Sequence, residues 1–123
     1  MARILVIDDS PALRRLLRFM LKGHEVVEAR FGLEALESIA KEPFALVISD
    51  IAPPDMDADE LYRRLVDEGH SGQVLFLAMR LDPPPTDRFG RRLPVLHKPF
   101  DAEVLIARVE GLLSQSMPQW EVK

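Results

Sequence analysis

Ala45-Leu46-Val47-Ile48-Ser49-Asp50-Ile51-Ala52-Pro53-Pro54-Asp55-Met56-Asp57 is the stretch that decides the fold. An apolar run that stops on a carboxylate and is followed by two prolines is the pattern of a buried strand whose last residue is delivered to the rim of a sheet. Asp50 is that residue. Open α/β sheets take ligands in the crevice beyond the carboxyl ends of their strands, so an acid in that place is positioned for chemistry. Taken alone, Asp50 reads equally well as the turn residue that closes a strand.

Two further strand ends change that balance. Ile4-Leu5-Val6-Ile7 runs into Asp8-Asp9-Ser10-Pro11, and Pro94-Val95-Leu96-His97 runs into Lys98-Pro99-Phe100. Three acids and one ammonium at strand ends make a candidate site.

The 123 residues suit one domain with a single core, and 47% hydrophobic with 29% charged residues is ordinary globular material. A net charge of -4 argues against generic nucleic-acid binding, which needs basic surface to neutralise phosphates. With no cysteine, disulfides, zinc thiolates and thiol catalysis are excluded. The longest apolar run, Val74 to Met79, falls far short of the roughly 18 residues of a membrane span, and no signal peptide opens the chain. The expectation is a cytoplasmic protein with no membrane contact.

In chain order, residues 2–7 are apolar on both faces, as in a central parallel strand covered by helices. Ser10 caps a helix with Pro11 in its first turn. Leu13, Leu16, Leu17, Met20 and Leu21 form its buried stripe, and Arg14, Arg15 and Arg18 take the wet side until Gly23 ends it. Residues 24–29 are a more polar edge strand, and 33–41 a short helix with Leu36, Ile39 and Ala40 inward. After the strand 45–50, Asp57 and Glu60 have the spacing of a capping box that opens a helix to about Glu68. A strand follows over 73–79. Thr86 then caps a short helix over 87–92, or that segment is a loop stiffened by Pro83-Pro84-Pro85. Residues 94–97 are a short edge strand, and Asp101 caps a last helix that turns Leu105, Val109, Leu112 and Leu113 to the sheet. Residues 1–114 form the domain and 115–123 a tail or linker stub.

Strand and helix thus alternate five times, which predicts a doubly wound α/β sandwich. Right-handed crossovers and one switch point select a five-stranded parallel sheet of order 2-1-3-4-5. Strands 1 and 3 are then neighbours. Asp8, Asp9 and Asp50 converge, and Lys98 arrives from strand 5 across the top of strand 4.

Three ionised carboxylates within a few ångströms repel, and each tends to hold its proton unless something positive sits among them. A hard divalent ion is the natural partner, and Mg²⁺ with its preference for oxygen fits better than softer metals. In that setting Asp50 can attack phosphorus and become an acyl phosphate. Such a mixed anhydride is labile, and a temporary charge on a small soluble domain is a signal.

The chain resembles the response regulator receiver domains of two-component signalling. The resemblance rests on Ile-Leu-Val-Ile-Asp8-Asp9-Ser, Gly32-x-Glu-Ala-Leu36, Asp50-Ile-x-x-Pro54-Asp-Met-Asp and Lys98-Pro99-Phe100. It implies a flavodoxin- or CheY-like three-layer sandwich. It also implies Asp50 as phosphoacceptor, Asp9 as a direct Mg²⁺ ligand, Asp8 acting mostly through water, the Ala52 carbonyl as a further ligand, and Lys98 on the phosphoryl group. A histidine kinase or phosphotransfer protein would be the donor. The strand 4 to helix 5 face would meet a downstream protein or a second copy.

The sequence departs from that family at its switch. Receivers usually end strand 4 on Thr or Ser followed by a small residue, where this chain has Ala78-Met79. They tend to carry Tyr or Phe three residues before the lysine, where it has Val95, and Gly where it has Ala58. Losing a hydrogen bond to a charged group removes roughly 1.5–3 kcal/mol, so phosphorylation and shape would be coupled about ten to a hundred fold less strongly. Arg88, Arg91 and Arg92 would make a basic stripe if their segment were helical, either as a solvated face or as a contact for an acidic partner.

Two other classes compete with a phosphoacceptor. One is a degenerate receiver that docks partners without phosphorylation, favoured by Ala78 and Val95 and opposed by the intact Asp8, Asp9, Asp50 and Lys98. The other is a phosphatase with an aspartate nucleophile. Such enzymes often resemble Asp-x-Asp after strand 1, and Asp8-Asp9-Ser10 lacks the second acid. Nucleotide or flavin binding would want a Gly- or Ser/Thr-rich loop there, where two acids stand. His24, His70 and His97 share no metal-binding spacing, and Tyr62 and Trp120 form no stacking platform.

Overall fold

The computed structural model describes residues 1–115. It carries β1 (Arg3–Ile7), α1 (Pro11–Met20), β2 (Glu25–Ala29), α2 (Gly32–Lys41), β3 (Leu46–Asp50), α3 (Ala58–Asp67), β4 (Gln73–Ala78), β5 (Val95–His97) and α4 (Ala102–Leu113). The tail expected over 115–123, with its Trp120, lies outside the described residues except for Gln115. The strands pair in parallel in the order β2-β1-β3-β4-β5, which is the topology expected from the chain pattern. Among the described residues no helix is long and apolar enough to cross a membrane.

Alternation along each strand divides the core into two layers. Leu5, Ile7, Val47 and Phe76 turn to one face and meet Ala35, Leu36, Leu61 and Leu65 of α2 and α3. Ile4, Val6, Ile48 and Leu75 turn to the other and meet Leu17, Leu105 and Val109 of α1 and α4. Each fully buried Leu or Ile contributes about 1.5–3 kcal/mol, so these layers fix where the carboxyl ends of the strands lie.

Local signals act largely as the residues dictate. Ser10 Oγ accepts the Leu13 N–H at 3.2 Å, and Asp57 Oδ1 accepts the Glu60 N–H at 2.8 Å. The capping box is only half made, because the Glu60 carboxylate faces Arg64 at 3.4 Å instead of returning to its cap. Asp101 stands at the N-cap of α4 without a side-chain bond. The first helix ends at Met20 rather than at Gly23, with Leu21 buried behind it. Leu16 is 45% exposed, outside the stripe assigned to it, and Ala35 takes the inward place expected of Ala40.

The fifth alternation is absent, since no helix joins β4 to β5. Thr86 pairs with Arg92 in an antiparallel bridge, and the Leu93 N–H donates to the Pro85 carbonyl at 2.9 Å. The buried Asp87 carboxylate accepts the N–H groups of Phe89 and Arg91 at 2.8 and 2.9 Å, and the Arg91 Nε at 3.1 Å. Gly90 turns the chain with a φ of 79°. The prolines remove donors a helix would need, and the few residues after them gain more from this hairpin than from one isolated turn. Arg88, Arg91 and Arg92 therefore form no helical stripe.

Gly72 marks a close approach of two backbone segments, since a Cβ there would lie 2.5 Å from the Ala45 carbonyl oxygen and 2.6 Å from that of Phe44. Gly72→Ala is expected to destabilise the domain by about 1–3 kcal/mol, read as a lower urea midpoint at unchanged slope.

Candidate functional site

The sheet's carboxyl edge brings the predicted groups together by register. Asp50 closes β3 opposite Leu77, and the Ile51 N–H donates to the Leu77 carbonyl at 2.9 Å, which fixes the direction of the loop that follows. At the end of β5 the Lys98 N–H donates to the Ala78 carbonyl at 2.8 Å, ahead of a cis Lys98-Pro99 peptide. The Lys98 side chain then crosses the end of β4 and places Nζ 2.7 Å from Asp50 Oδ1. Both side chains keep about a quarter of their surface in solvent, 27% and 25%, so the pair is open to a reactant. Asp50 Oδ2 accepts a longer bond of 3.3 Å from the Ala52 N–H.

Asp8 and Asp9 leave β1, the neighbour of β3. Asp8 is buried and Asp9 exposed. Asp8 Oδ1 accepts the Ser10 N–H at 2.8 Å. Its carbonyl accepts Arg14 Nη1 at 2.6 Å, while Arg14 Nε donates to Glu28 at 2.9 Å. Arg14 is thus drawn inward, its side chain only 12% exposed, and pins the acidic turn instead of taking the wet side. Burial is the strongest influence on the Asp8 carboxyl and raises its pKa, the charges of Asp50 and Asp9 raise it further, and the Ser10 N–H and Lys98 offset only part. Asp8 therefore senses the charges of Asp50, Lys98 and Asp9.

Three acids against one ammonium leave this rim with surplus negative charge. Among the described residues no three acidic or imidazole side chains already surround a common point, because Asp50 is turned to Lys98 and Asp8 to Ser10. Mg²⁺ usually takes one or two carboxylates and keeps several waters, so a closed protein cage is not what it requires. Hard oxygen donors with unbalanced charge fit that ion.

A second acid of the loop has a role that the pattern of residues does not disclose. Asp55 Oδ1 and Oδ2 accept the N–H groups of Gly32 and Leu33 at 2.9 and 3.0 Å, and so cap α2 from a different segment. The residue at the N-cap of α2 is Phe31, which has no side-chain acceptor, and those helical N–H groups need a foreign partner. Met56 lies against Gly32 so closely that a Cβ there would meet its Sδ at 2.7 Å. Asp55 and Met56 together fasten the loop that carries Asp50 and Ala52. An N-cap position with an apolar residue was the available sequence signal.

Ala78, Met79 and Val95, the residues expected at the switch, stand at the end of β4, just after it, and in β5. Ala78 is the last residue of β4, opposite His97, and is 3% exposed. Val95 stands opposite Phe76, packed on the core layer under α2 and α3. Met79 is 56% exposed, its N–H bonded to Asp82 Oδ2 at 2.8 Å. Thr86 is held against α3 by its N–H bond to Asp59 Oδ1 at 2.9 Å.

Residues 4–110 match the family described as the response regulator receiver domain. The response regulator receiver protein CpdR of Brucella abortus (strain 2308) is 34% identical over 119 residues, covering 92% of this chain and 98% of that protein. The response regulator MprA of Mycobacterium avium (strain 104) is 37% identical over 128 residues, covering 95% of this chain and 53% of MprA, so the chain spans about half of that relative. Among solved structures, the chemotaxis protein CheY4 of Vibrio cholerae superposes with a TM-score of 0.78 at 27% identity, covering 91% of this chain and 98% of that one. The receiver domain of the hybrid histidine kinase CckA gives 0.75 at 29% identity, covering 90% and 98%.

The Asp55 latch makes stability depend on pH in a defined direction. Desolvation is the largest influence and raises the Asp55 pKa, but the N–H groups of Leu33 and Gly32 outweigh it and hold the carboxyl below its ordinary 3.8. A depressed folded pKa gives stability that is present above the unfolded value and is lost as pH falls through the folded one. Asp55→Asn is expected to unfold more easily than the parent at neutral pH, with the two converging below about pH 3.8, as measured by urea titrations at a series of pH values.

Proposed function

The chain belongs to the response regulator receiver domains of two-component signalling, and on that premise we propose that Asp50 is its phosphoacceptor, served by Lys98 and by Mg²⁺ held at Asp8, Asp9, Asp50 and the Ala52 carbonyl. The observation that carries this reading is the 2.7 Å contact of Lys98 Nζ with Asp50 Oδ1 at a rim where Asp8 senses both Asp9 and Asp50. Exposed Asp9 suits a direct ligand, and buried Asp8, tied to Ser10, suits contact through water. When bound, Mg²⁺ supplies neutralisation of the oxygens on an incoming phosphoryl group.

The chain's own groups do the rest. Asp50 Oδ2, the oxygen outside the lysine contact, attacks phosphorus as the donor's bond breaks, and an acyl phosphate forms on the side chain. Lys98 passes from Asp50 Oδ1 to a phosphoryl oxygen and holds the new charge. The donor is a phosphohistidine on a histidine kinase or phosphotransfer protein, and the mark is lost by slow hydrolysis. Residues 1–114 are the receiver unit, working in the cytoplasm as a phosphoacceptor rather than as a conventional enzyme.

A second reading is a degenerate receiver that docks its partners without phosphorylation. Buried Ala78 has no hydroxyl to turn toward a phosphoryl oxygen, Val95 no ring to follow it, and the β4–β5 crossover no helix to shift.

Incubating the protein with Mg²⁺ and a small acyl phosphate and weighing it intact separates the two. Gain of one phosphoryl group by the parent and none by Asp50→Asn supports the phosphoacceptor, and no gain by either leaves the docking module. In the phosphorylated parent the amide shifts of β4 and β5 are expected to change little. Ala78→Thr restores an interaction of roughly 1.5–3 kcal/mol and is expected to strengthen that response about tenfold or more. Large shifts in the parent itself would contradict the weak switch.

A further inference from the structure

Of the acids at the rim, Asp9 is the one that nothing within the chain holds by its side chain. Asp50 faces Lys98 and Asp8 accepts the Ser10 N–H, but among the described residues the exposed Asp9 side chain forms no hydrogen bond or ion pair. Its place is set by the backbone before it.

That backbone is tied on every side. The Asp8 N–H donates to the Ala29 carbonyl at 3.1 Å, Asp8 Oδ1 accepts the Ser10 N–H at 2.8 Å, and the Asp8 carbonyl accepts Arg14 Nη1 at 2.6 Å. The last bond is the one that bears on Asp9, because this oxygen belongs to the peptide that joins the two acids. A peptide is a rigid plane, so holding its oxygen holds the Cα of the residue that follows.

Arg14 is itself aimed by Glu28. Its Nε donates to Glu28 Oε1 at 2.9 Å while Nη1 serves the carbonyl, and Glu28 Oε2 takes Arg18 Nη2 at 2.8 Å. Burial is the largest influence on Glu28 and raises its pKa, but the bonds from Arg14 and Arg18 outweigh it and hold the carboxyl below its ordinary 4.5. The anchor of Arg14 therefore stays charged. Taking a guanidinium out of water costs free energy, and Arg18 meets the same carboxylate with its side chain 51% exposed, against 12% for Arg14. The ion pair alone does not call for the burial of Arg14. The Asp8 carbonyl does.

We propose that Arg14, oriented by Glu28, is a positioning residue for the divalent cation: it holds the Asp8-Asp9 peptide so that the Asp9 carboxylate is in place before the ion arrives. The proposal rests on reading Asp8 and Asp9 as part of the Mg²⁺ site, and adds what sets their geometry.

Field and position pull in opposite directions here, which makes the role measurable. A guanidinium beside cation-binding acids repels the cation, so by charge alone its removal tightens Mg²⁺ binding. By position its removal loosens binding, since loss of a group that orients a metal ligand typically costs about 10–100-fold in affinity.

The experiment is calorimetric titration of Mg²⁺ into the unphosphorylated parent, Arg14→Met, Arg14→Lys and Arg18→Met, with urea midpoints and carbonyl carbon signals of the metal-free proteins recorded alongside. Arg14→Met is expected to bind Mg²⁺ about tenfold or more weakly, and to move the Asp8 carbonyl signal before any metal is added. Arg14→Lys keeps the charge but not the fork that serves two acceptors at once, so it is expected to bind weakly too, and it carries the test if Arg14→Met does not fold. Arg18→Met removes a charge from the same carboxylate without touching the carbonyl, and is expected to bind as the parent does. Unchanged or tighter binding in both Arg14 variants, or an equal loss in Arg18→Met, would overturn the proposal. Failure of the parent itself to bind Mg²⁺ would sink the metal site and this inference with it, whereas a parent that binds beside indifferent Arg14 variants sinks this inference alone.

Discussion

Crowded negative charge at one edge of a parallel sheet is the constraint on which the structure depends. Asp8 and Asp9 follow β1 and Asp50 ends its neighbour β3, so the strand order sets these acids on one edge of the sheet. Lys98 answers part of that charge, with Nζ 2.7 Å from Asp50 Oδ1. It reaches there because β5 pairs with β4 and ends level with Ala78. Arg14 holds the turn below by its backbone, and burial pushes the Asp8 carboxyl toward its neutral form. Burial beside like charges disfavours the ionised form of Asp8, and carboxyls perturbed in this way gather at functional sites.

The surroundings of Asp50 are held in two different ways. On the β3 side, Asp55 and Met56 clamp the loop to the start of α2, so Asp50 is carried on rigid backbone. On the β4 side, Ala78 offers no hydroxyl, and the path to β5 is a hairpin closed by buried Asp87. The two sides of Asp50 are therefore built differently, one fastened to the start of a helix and the other closed by a hairpin.

The sheet order was legible because apolar strands ending on Asp8, Asp50 and Lys98 alternate with strongly periodic helices, and few topologies satisfy right-handed crossovers. The crossover after β4 was ambiguous because Arg88, Arg91 and Arg92 keep helical spacing, while Gly90 and the side-chain bonds of Asp87 decide for a hairpin. Arg14 was misplaced for another reason. Its partners, the Asp8 carbonyl and Glu28, lie on other elements, and the spacing of apolar residues along α1 carries no trace of them. Asp55 illustrates the same limit, since a cap donated from a distant loop leaves only an unsuited residue, Phe31, at the helix start.

Calorimetric titration of Mg²⁺ into the unphosphorylated protein tests the central claim most directly, because it asks whether the acids of β1 and β3 act as one site before any phosphoryl group arrives. Saturable binding of one ion, abolished by Asp9→Ala and altered by Asp50→Asn, is the predicted result. Absence of saturable heat, or binding indifferent to both substitutions, would contradict it.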